Sequence, residues 1–361
     1  MGGGGAERVL VTLLNALDPE QYDITLLLIY KEGPFFSEIP GHVKVKWLFQ
    51  SYASLSTRLL THYYSVRNYV RKRFAHRKLG GEKFDIAVSF MEGAPAKLHS
   101  QLLNYAEKNL TWVHCNFKTA RWYDFWFKRK EEHNFYNRVD RIAFVSKELR
   151  AAFESEIKSD TPKYVIYNPI DISEIEFATQ GVAKNCQDDF LITNIGRLVP
   201  LKNHNLLIDV AVILKQHGRK FKIQVLGCGP MYDKLIERVR ELNLEDYVYF
   251  KGFKKNPFPD VAKSDIFCMT SVSEGCPMVI AEAMALGTPI VSTPIAAVDE
   301  MLSQGGGCLT DGTADNIVRV IEDLMDNPEK RLSMGRAAKN SALMFDIHNV
   351  ITLVTDFIDG N

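Results

Sequence analysis

Two glutamates, Glu274 and Glu282, are separated by seven residues in the segment SEGCPMVIAEAMALGTPIVS at positions 273–292. Residues 277–286 have the pattern of one amphipathic helix, with Pro277 in its first turn and a glycine just past its end. Glu274 then lies in the loop at the helix N-terminus, and Glu282 lies about two turns inside the helix. Free backbone N–H groups and the positive end of the helix dipole favour a phosphate or a polar sugar there, and each carboxylate can bind a pair of hydroxyls. A capping Glu274 and a solvated Glu282 are the alternative.

Two basic residues follow another strand, in NIGRLVPLKNH at positions 194–204. Arg197 and Lys202 stand between Gly196 and the next predicted helix. A forked guanidinium and a compact ammonium together match a diphosphate. The pattern therefore predicts a phosphate-binding loop, with two solvated charges as the alternative.

Glycines end two further strands. In VLGCGPM (225–231), Gly227 and Gly229 follow a strand, but Tyr232 stands where a dinucleotide-binding GxGxxG motif needs its third glycine. A nicotinamide cofactor is therefore not predicted, and these glycines serve either a close ligand or a tight turn. VYFKGF (248–253) is a strand that ends at a glycine.

Several catalytic patterns are absent from the sequence. No Asp-x-Asp pair ends a strand, and no GxSxG, Walker or HExxH motif occurs. Hydrolase, kinase and zinc-protease functions thus have no support, and we predict neither a metal nor a cofactor. Arg197, Lys202 and the dipole of helix 277–286 would instead stabilise a leaving diphosphate by fixed charges.

The composition predicts a globular protein of two domains, because 361 residues exceed the size of one core. Residues 1–165 carry 25 Lys and Arg against 18 Asp and Glu, and residues 166–361 carry 19 against 26, so the halves have charges of +7 and −7. The N-terminal half is the candidate for an anionic partner. Six cysteines without metal-ligand spacing, no signal peptide and no apolar run of about 18 residues favour a cytoplasmic protein that does not span a membrane.

Apolar strands alternate with helical patterns over residues 190–292, which predicts a parallel, doubly wound α/β sheet. Every motif described so far follows a strand, and such sheets bind ligands at the carboxyl ends of their strands. The N-terminal half has a less regular α/β pattern, with a helix predicted over 94–107 and a strand over 109–114. We predict an N-terminal domain over 1–170, a C-terminal domain over 171–343 and a last helical segment over 344–361.

The N-terminal half also contains a basic and aromatic surface. Residues 39–81 hold nine Lys and Arg and no acid, and they include VRKRF at 70–74 and the tyrosines at 63, 64 and 69. RWYDFWFKRK at 121–130 combines five aromatic with four basic residues. This mixture predicts peripheral contact with an anionic membrane, at the inner face of the cell membrane, or with a membrane-borne acceptor. A solvated face or a nucleic-acid patch is the alternative, although we predict no nucleic-acid partner.

Together, the Glu-x7-Glu element at 274–282, the loop at 194–204, the strand at 248–253 and the histidine in WVHCN at 112–116 resemble the retaining glycosyltransferases of family 4. The resemblance is strong over about 190–300. It implies the GT-B fold of two facing Rossmann-like domains, with a nucleotide sugar, most often a UDP-sugar, held by the C-terminal domain. The acceptor, a cell-surface polysaccharide or lipid-linked glycan, would be held by the N-terminal domain, to which the last helix crosses back.

The resemblance also implies roles for single residues. Glu282 would hold the ribose, Glu274 the sugar hydroxyls, and Arg197 with Lys202 the diphosphate. His114, which follows a strand in WVHCN, would face the donor sugar, and the backbone near Gly252 and Phe253 would read the uracil edge. The implied catalytic residues are His114, Glu274, Arg197 and Lys202. The implied donor-binding residues are Gly4, Gly5, Gly196, Arg197, Lys202, Gly227, Gly252, Phe253, Glu274, Gly275, Cys276, Pro277, Met278, Val279 and Glu282.

Family 4 members usually have an apolar strand before a GGAER-like loop, whereas this sequence opens at MGGGGAER, so we expect the first strand to be missing. Two other functions remain as alternatives: a sugar-nucleotide epimerase on a similar fold, and a non-catalytic nucleotide-sugar-binding partner subunit. Donor turnover without an acceptor would favour the epimerase, and tight binding without turnover would favour the partner subunit.

Overall fold

The computed structural model describes residues 4–51, 64–119, 126–183 and 189–360. The chain packs into two compact units. The first extends to Pro169 and includes the residues from Ile347 onward, and the second is Ile170–Asp346. Every strand pairing in both units is parallel, which confirms the predicted parallel α/β class.

The first unit contains two parallel sheets, a pair β1-β2 and a sheet of order β3-β4-β5-β6. Its elements up to Pro169 are α1 (Gly5–Ala16), β1 (Thr25–Tyr30), β2 (Lys44–Phe49), α2 (Tyr64–Leu79), β3 (Phe84–Ser89), α3 (Ala94–Ser100), β4 (Ala106–Val113), α4 (Arg129–Tyr136), β5 (Arg141–Phe144), α5 (Lys147–Glu156) and β6 (Lys163–Val165).

The second unit contains one sheet of order β12-β11-β10-β7-β8-β9. Its elements are α6 (Ile172–Ala178), β7 (Phe190–Ile195), α7 (His204–Gln216), β8 (Phe221–Leu226), α8 (Tyr232–Glu241), β9 (Val248–Gly252), α9 (Phe258–Ala262), β10 (Ile266–Met269), α10 (Met278–Ala285), β11 (Ile290–Ser292), α11 (Ala296–Met301), β12 (Gly307–Leu309), α12 (Ala314–Asp326) and α13 (Pro328–Ala342). The chain then ends in α14 (Ile347–Asp359).

The last helix belongs to the first unit because one of its faces is apolar. Ile347, Val350, Val354 and Phe357 recur at helical spacing and are all buried. At the end of α14 the side chain of Arg141 donates to the carbonyls of residues 357 and 358, at 2.7 and 3.1 Å. A cation thus satisfies two of the carbonyls that a helix C-terminus leaves without partners.

The predicted helix over 94–107 is too long. The helix α3 ends at Ser100, and β4 begins at Ala106 rather than at residue 109. The reason is pairing with the neighbouring strand: Ala106 lies opposite Phe84 and Asn109 opposite Ala87. Sheet hydrogen bonds override the helical pattern of these polar residues.

Candidate functional site

Loops at the carboxyl ends of β7 and β10 bring two oppositely charged residues together. The loop after β7 makes a 3-10 turn over Pro200–Lys202, and α7 begins at His204. The ammonium of Lys202 forms a salt bridge with Oε1 of Glu274, and both side chains are largely buried. The backbone N–H of Val272 donates to the carbonyl of Leu201 at 2.9 Å, which joins the two loops. The residues expected to hold the diphosphate and the sugar are thus direct neighbours.

The Lys202 side chain is held along its length. Its stem lies against Gly196, where an added Cβ would be 3.4 Å from Cγ and Cδ of the lysine. The Thr270 hydroxyl donates to the Lys202 carbonyl at 3.1 Å. Only one carboxylate oxygen of Glu274 is used in the salt bridge, and Oε2 makes no hydrogen bond to any described residue. A ligand hydroxyl can therefore donate to Glu274 while the salt bridge stays in place.

Arg197 differs from Lys202 in having no partner. Its side chain is exposed and makes no hydrogen bond or ion pair within the described part of the chain. A guanidinium with five N–H donors is thus accessible to an anion beside the Lys202–Glu274 pair.

Glycines let the loops after β7 and β8 pack backbone against backbone. Gly227 has φ +149°, and a Cβ there would lie 1.9 Å from the carbonyl oxygen of Gly196. The N–H of Leu198 donates to the Cys228 carbonyl, and the N–H of Met231 donates to the Leu198 carbonyl, each at 3.0 Å. The sequence left two uses of these glycines open, close approach of a ligand and formation of a tight turn. The structure shows a third use, since both glycines allow the adjacent loop to pack closely.

The strand β9 ends at Gly252, which has φ +72° and open space around its Cα. Its carbonyl accepts the N–H of Gly227 at 2.9 Å, so this strand end is tied to the loop after β8. The next residue, Phe253, is 70% exposed. The exposed aromatic ring beside this tie offers a flat apolar surface for a base.

The helix predicted over 277–286 is confirmed as α10, with Pro277 as its N-cap residue and Gly287 at φ +66° after its end. The side chain of Pro277 makes no capping hydrogen bond, and the Pro277 carbonyl accepts the N–H of Ile280 at 3.0 Å. The helix therefore begins four residues after Glu274. Glu282 is only 6% exposed and has a partner within the protein. The remaining predicted residues of this segment are partly exposed, except that Pro277 is buried; they are Gly275, Cys276, Met278 and Val279.

His114 lies in the first unit, just after β4, and its ring packs 4.9 Å from that of Phe90. Burial lowers the pKa of His114 to about 3, although a hydrogen bond to the Phe90 backbone acts in the opposite direction. Because Nε2 is buried and has no partner, the bond to Phe90 uses Nδ1–H. The imidazole is therefore neutral and presents Nε2 as a hydrogen-bond acceptor.

The glycines at the start of α1 are used within the protein. Gly4 is the N-cap residue, and its N–H donates to the carboxylate of Glu7 at 2.7 Å. A Cβ at Gly5 would meet no atom within 4 Å. Gly4 and Gly5 were both predicted to lie near the phosphates or the acceptor. The Gly4 N–H already has an anionic partner, whereas Gly5 is open.

One member of the predicted basic surface is not on the surface. Arg71 is 3% exposed, donates to the Tyr30 hydroxyl at 3.3 Å and stacks on the Trp126 ring at 4.4 Å. Lys72 and Arg73 are exposed, as are Arg77 and Lys78. The Tyr63 residue, the Tyr64 side chain and residues 121–125 lie outside the described part of the chain.

Sequence reasoning did not find Asn194, although it stands in the NIGR segment. Its amide nitrogen donates to the Cys268 carbonyl at 2.8 Å, which joins the ends of β7 and β10, and its buried Oδ1 has no partner. A polar residue inside an apolar strand was the available signal.

Two general observations concern the described residues only. They contain no group of three or more His, Cys, Asp or Glu side chains arranged to hold a metal ion. Among their helices, none has the length and apolar character that crossing a membrane requires.

We expect acid to destabilise the fold through three histidines. Burial lowers the pKa of His99 to about 4, of His114 to about 3 and of His204 to about 4. Unfolded histidines bind protons below about pH 6.5, so the unfolded state gains protons first and stability falls as the pH drops from about 6.5 to 4. Each histidine contributes a slope of about 1.4 kcal/mol per pH unit in that window. Urea unfolding at pH 7 and pH 5 measures this, and His99→Gln should flatten the dependence; equal stability at both values would contradict it.

Known proteins share this architecture. Two family models match the chain, Glycosyltransferase Family 4 over residues 3–174 and Glycosyl transferases group 1 over residues 179–341. An uncharacterized glycosyltransferase of Methanocaldococcus jannaschii is 32% identical over 165 residues, which make up 44% of this chain and 41% of that relative.

Two longer similarities extend over almost the whole chain. An undecaprenol-diphosphate-linked glycan alpha-1,4-N-acetyl-D-galactosaminyltransferase of Campylobacter jejuni is 25% identical over 357 residues, 97% of this chain and 93% of the relative. The crystal structure of Anabaena HepE in complex with UDP and glucose has a TM-score of 0.76 at 20% identity, and covers 99% of this chain and 96% of HepE. The predicted pair of Rossmann-like domains is thereby confirmed, and the chain belongs to the glycosyltransferases of the GT-B fold.

Proposed function

We propose that this glycosyltransferase moves a sugar, with retention of configuration, from a UDP-sugar to a lipid-linked glycan or cell-surface polysaccharide. The observation that carries the donor assignment is the Lys202–Glu274 pair, which joins the loops after β7 and β10 shortly before α10 begins, with the exposed Arg197 on the first of these loops. Cations near a helix N-terminus stabilise a diphosphate, and a carboxylate with one unpaired oxygen binds sugar hydroxyls. HepE, of the same fold, binds UDP and glucose, and the Campylobacter relative acts on an undecaprenol-diphosphate acceptor; both support this proposal.

The proposed chemistry is a same-face displacement. The acceptor hydroxyl forms a bond to the anomeric carbon while the bond from that carbon to the diphosphate oxygen breaks. The departing phosphate oxygen takes the hydroxyl proton, and Arg197, Lys202 and the dipole of α10 stabilise the charge that develops there. Glu274 and the neutral His114 accept hydrogen bonds from sugar hydroxyls and so fix the orientation of the donor. Glu282 holds the ribose, and Phe253 packs on the base.

The test begins with binding. A panel of UDP-, GDP- and ADP-sugars is screened by thermal shift, because a ligand that binds only the folded state raises the melting temperature. The best donor is then incubated with undecaprenyl-diphosphate-linked glycans, and NMR of the product gives its anomeric configuration. An α-linked product from an α-linked donor supports the proposal. Inversion would overturn the retaining mechanism, and donor conversion without an acceptor would indicate an epimerase.

We expect transfer to continue without divalent metal ions. Arg197, Lys202 and the N-terminus of α10 supply the positive charge that the leaving diphosphate requires. Initial rates are measured in EDTA and after addition of Mg²⁺ or Mn²⁺, with a metal-dependent sugar-nucleotide enzyme as the positive control for chelation. Complete loss in EDTA with recovery on adding metal would contradict this role for the fixed charges.

We also propose that α2 lies against an anionic membrane, at the inner face of the cell membrane. Its exposed residues include four cations, Lys72, Arg73, Arg77 and Lys78, and Tyr69, which is 63% exposed. Lys31 and Lys78 also flank the Trp47 ring, at 4.1 and 5.5 Å from its centroid. Cations around aromatic rings suit the headgroup region of a bilayer.

Replacing Lys72, Arg73 and Arg77 by glutamine should weaken binding to vesicles that contain anionic lipid. Each cation near such a surface contributes about 1 kcal/mol, so the triple variant should lose roughly a hundredfold in partitioning. Co-sedimentation measures this, and binding should decrease with salt. The control replaces three exposed lysines of the second unit, Lys220, Lys234 and Lys263. If the wild-type protein does not bind anionic vesicles at low salt, the exposed cations of α2 form a solvated face and not a membrane-binding surface.

A further inference from the structure

The loop that follows β3 carries a carboxylate that is almost completely enclosed. Glu92 is 1% exposed, and its Oε2 accepts the backbone N–H of His114 at 2.8 Å. The Cys115 thiol donates to the same carboxylate, and burial together with Glu92 and Glu132 raises the pKa of that thiol. One side chain therefore ties the segment after β3 to the first two residues after β4.

The ring of His114 is held by the same short segment. Phe90, two positions before Glu92, packs on the imidazole at 4.9 Å, and its backbone accepts the imidazole N–H. The Trp112 ring also stacks on the imidazole, at a centroid distance of 6.5 Å. The backbone and the ring of His114 are thus both fixed from residues 90–92. The remaining nitrogen, Nε2, is buried and has no partner.

Burying an acidic side chain so completely is costly unless its oxygens accept hydrogen bonds. A hydrophobic residue would fill the same space without that cost. It would not accept the His114 N–H, and the first residue after β4 would lose the bond that sets its position. Glu92 therefore holds the backbone of His114 from inside the protein, since only 1% of Glu92 is exposed.

We propose that Glu92 is a positioning residue for the sugar-binding histidine: its carboxylate fixes the backbone of His114 so that Nε2 meets a sugar hydroxyl. The proposal rests on the proposed function, because the partner of Nε2 is taken to be a sugar. Small displacements of a positioning group slow an enzyme strongly, by up to about a hundredfold for 1 Å. Glu92 therefore acts on the rate of transfer through His114 and not by contact with substrate.

The test compares Glu92→Gln, Glu92→Ala, His114→Ala and the double variant Glu92→Ala/His114→Ala. Glu107→Gln, at an exposed position on β4, is the matched control. We expect Glu92→Ala to lower kcat about ten- to a hundredfold, with UDP affinity unchanged. Glu92→Gln should recover most of the rate, since its amide oxygen still accepts the His114 N–H. In the double variant, the loss should equal that of His114→Ala alone, because residues that act as a unit are not additive.

The proposal would be overturned if the kcat of the double variant fell by the product of the two single-variant losses. An unchanged kcat in Glu92→Ala would also overturn it. A second measurement is independent of activity: ¹⁵N NMR of the histidine side chains should show a displaced His114 resonance in Glu92→Ala and not in Glu107→Gln. If the wild type transfers no sugar to any acceptor, the proposed function fails while the NMR comparison still decides whether Glu92 positions His114. If Glu92→Ala does not fold, Glu92→Asp gives the comparison instead, because its shorter side chain withdraws the carboxylate from the His114 N–H. An undisplaced His114 resonance in Glu92→Asp would then overturn the proposal.

Discussion

Alanine at Arg197 or at Lys202 should slow sugar transfer by about 2–4 kcal/mol in transition-state stabilisation, the scale measured for lost electrostatic donors. This corresponds to roughly a thirty- to a thousandfold loss of kcat/KM. In the proposed mechanism the two residues stabilise the charge that appears on the leaving diphosphate, so kcat should fall and not only the affinity for donor. The measurement is steady-state transfer with a UDP-sugar. Lys234→Ala and Arg240→Ala, at two exposed cations of α8, are the controls.

The structure distinguishes the two substitutions. Arg197 has no partner among the described residues, so its loss removes a ligand contact alone. Lys202 is paired with Glu274, so Lys202→Ala also leaves that carboxylate without its cation. The cycle Lys202→Ala, Glu274→Gln and the double variant should therefore be non-additive, whereas the cycle of Arg197 and Glu274 should be close to additive. Unchanged turnover in both single variants would remove these residues from the site.

The strand ends of the second unit could be predicted because its strands are buried on both sides. Runs such as residues 190–195 and 221–226 are apolar almost throughout, and a parallel strand covered by helices on both faces requires that composition. Once the strands are placed, the parallel topology assigns their following loops to one edge of the sheet. This reasoning predicts that Lys202 and Glu274 lie at the same edge, and the structure pairs them.

Contacts between loops could not be predicted in the same way. The Lys202–Glu274 salt bridge joins residues 72 positions apart, and no local pattern specifies it. Arg71 stands in a run of basic residues that is typical of a surface, and its burial is decided by Tyr30 and Trp126, which lie on distant segments. The prediction of a helix over 94–107 was wrong in its length for a related reason, because the last residues of this segment pair with β3. Glu92 was missed because a single glutamate after a strand has no distinguishing spacing.

The glycines show most clearly what the sequence leaves undecided. VLGCGPM contains two glycines after a strand, and a close ligand, a tight turn and close packing all require the same residue type. The structure separates these possibilities, since an added Cβ at Gly227 would lie 1.9 Å from the Gly196 carbonyl oxygen, and at Gly229 2.5 Å from that of Leu198. These contacts place the loop that carries Arg197, so an apparently structural glycine determines the geometry of the predicted diphosphate site.

Gly227→Ala should therefore abolish donor binding even though residue 227 has no side chain to bind anything. The backbone at φ +149° is strained for alanine by about 1–3 kcal/mol, and the new methyl group forces the Gly196 carbonyl to move. Overpacking of this kind costs about 1–3 kcal/mol more, and the displaced segment carries Arg197. Thermal unfolding measures the stability loss, and UDP titration calorimetry measures binding.

Gly218→Ala is the matched control, because Gly218 has φ +68° but no atom within 4 Å of an added Cβ. The free energy of unfolding of that variant should fall only by the amount that backbone strain costs, and the variant should bind UDP as the wild type does. If Gly227→Ala binds UDP normally, the packing of these two loops does not set the position of Arg197, and the diphosphate site lies elsewhere.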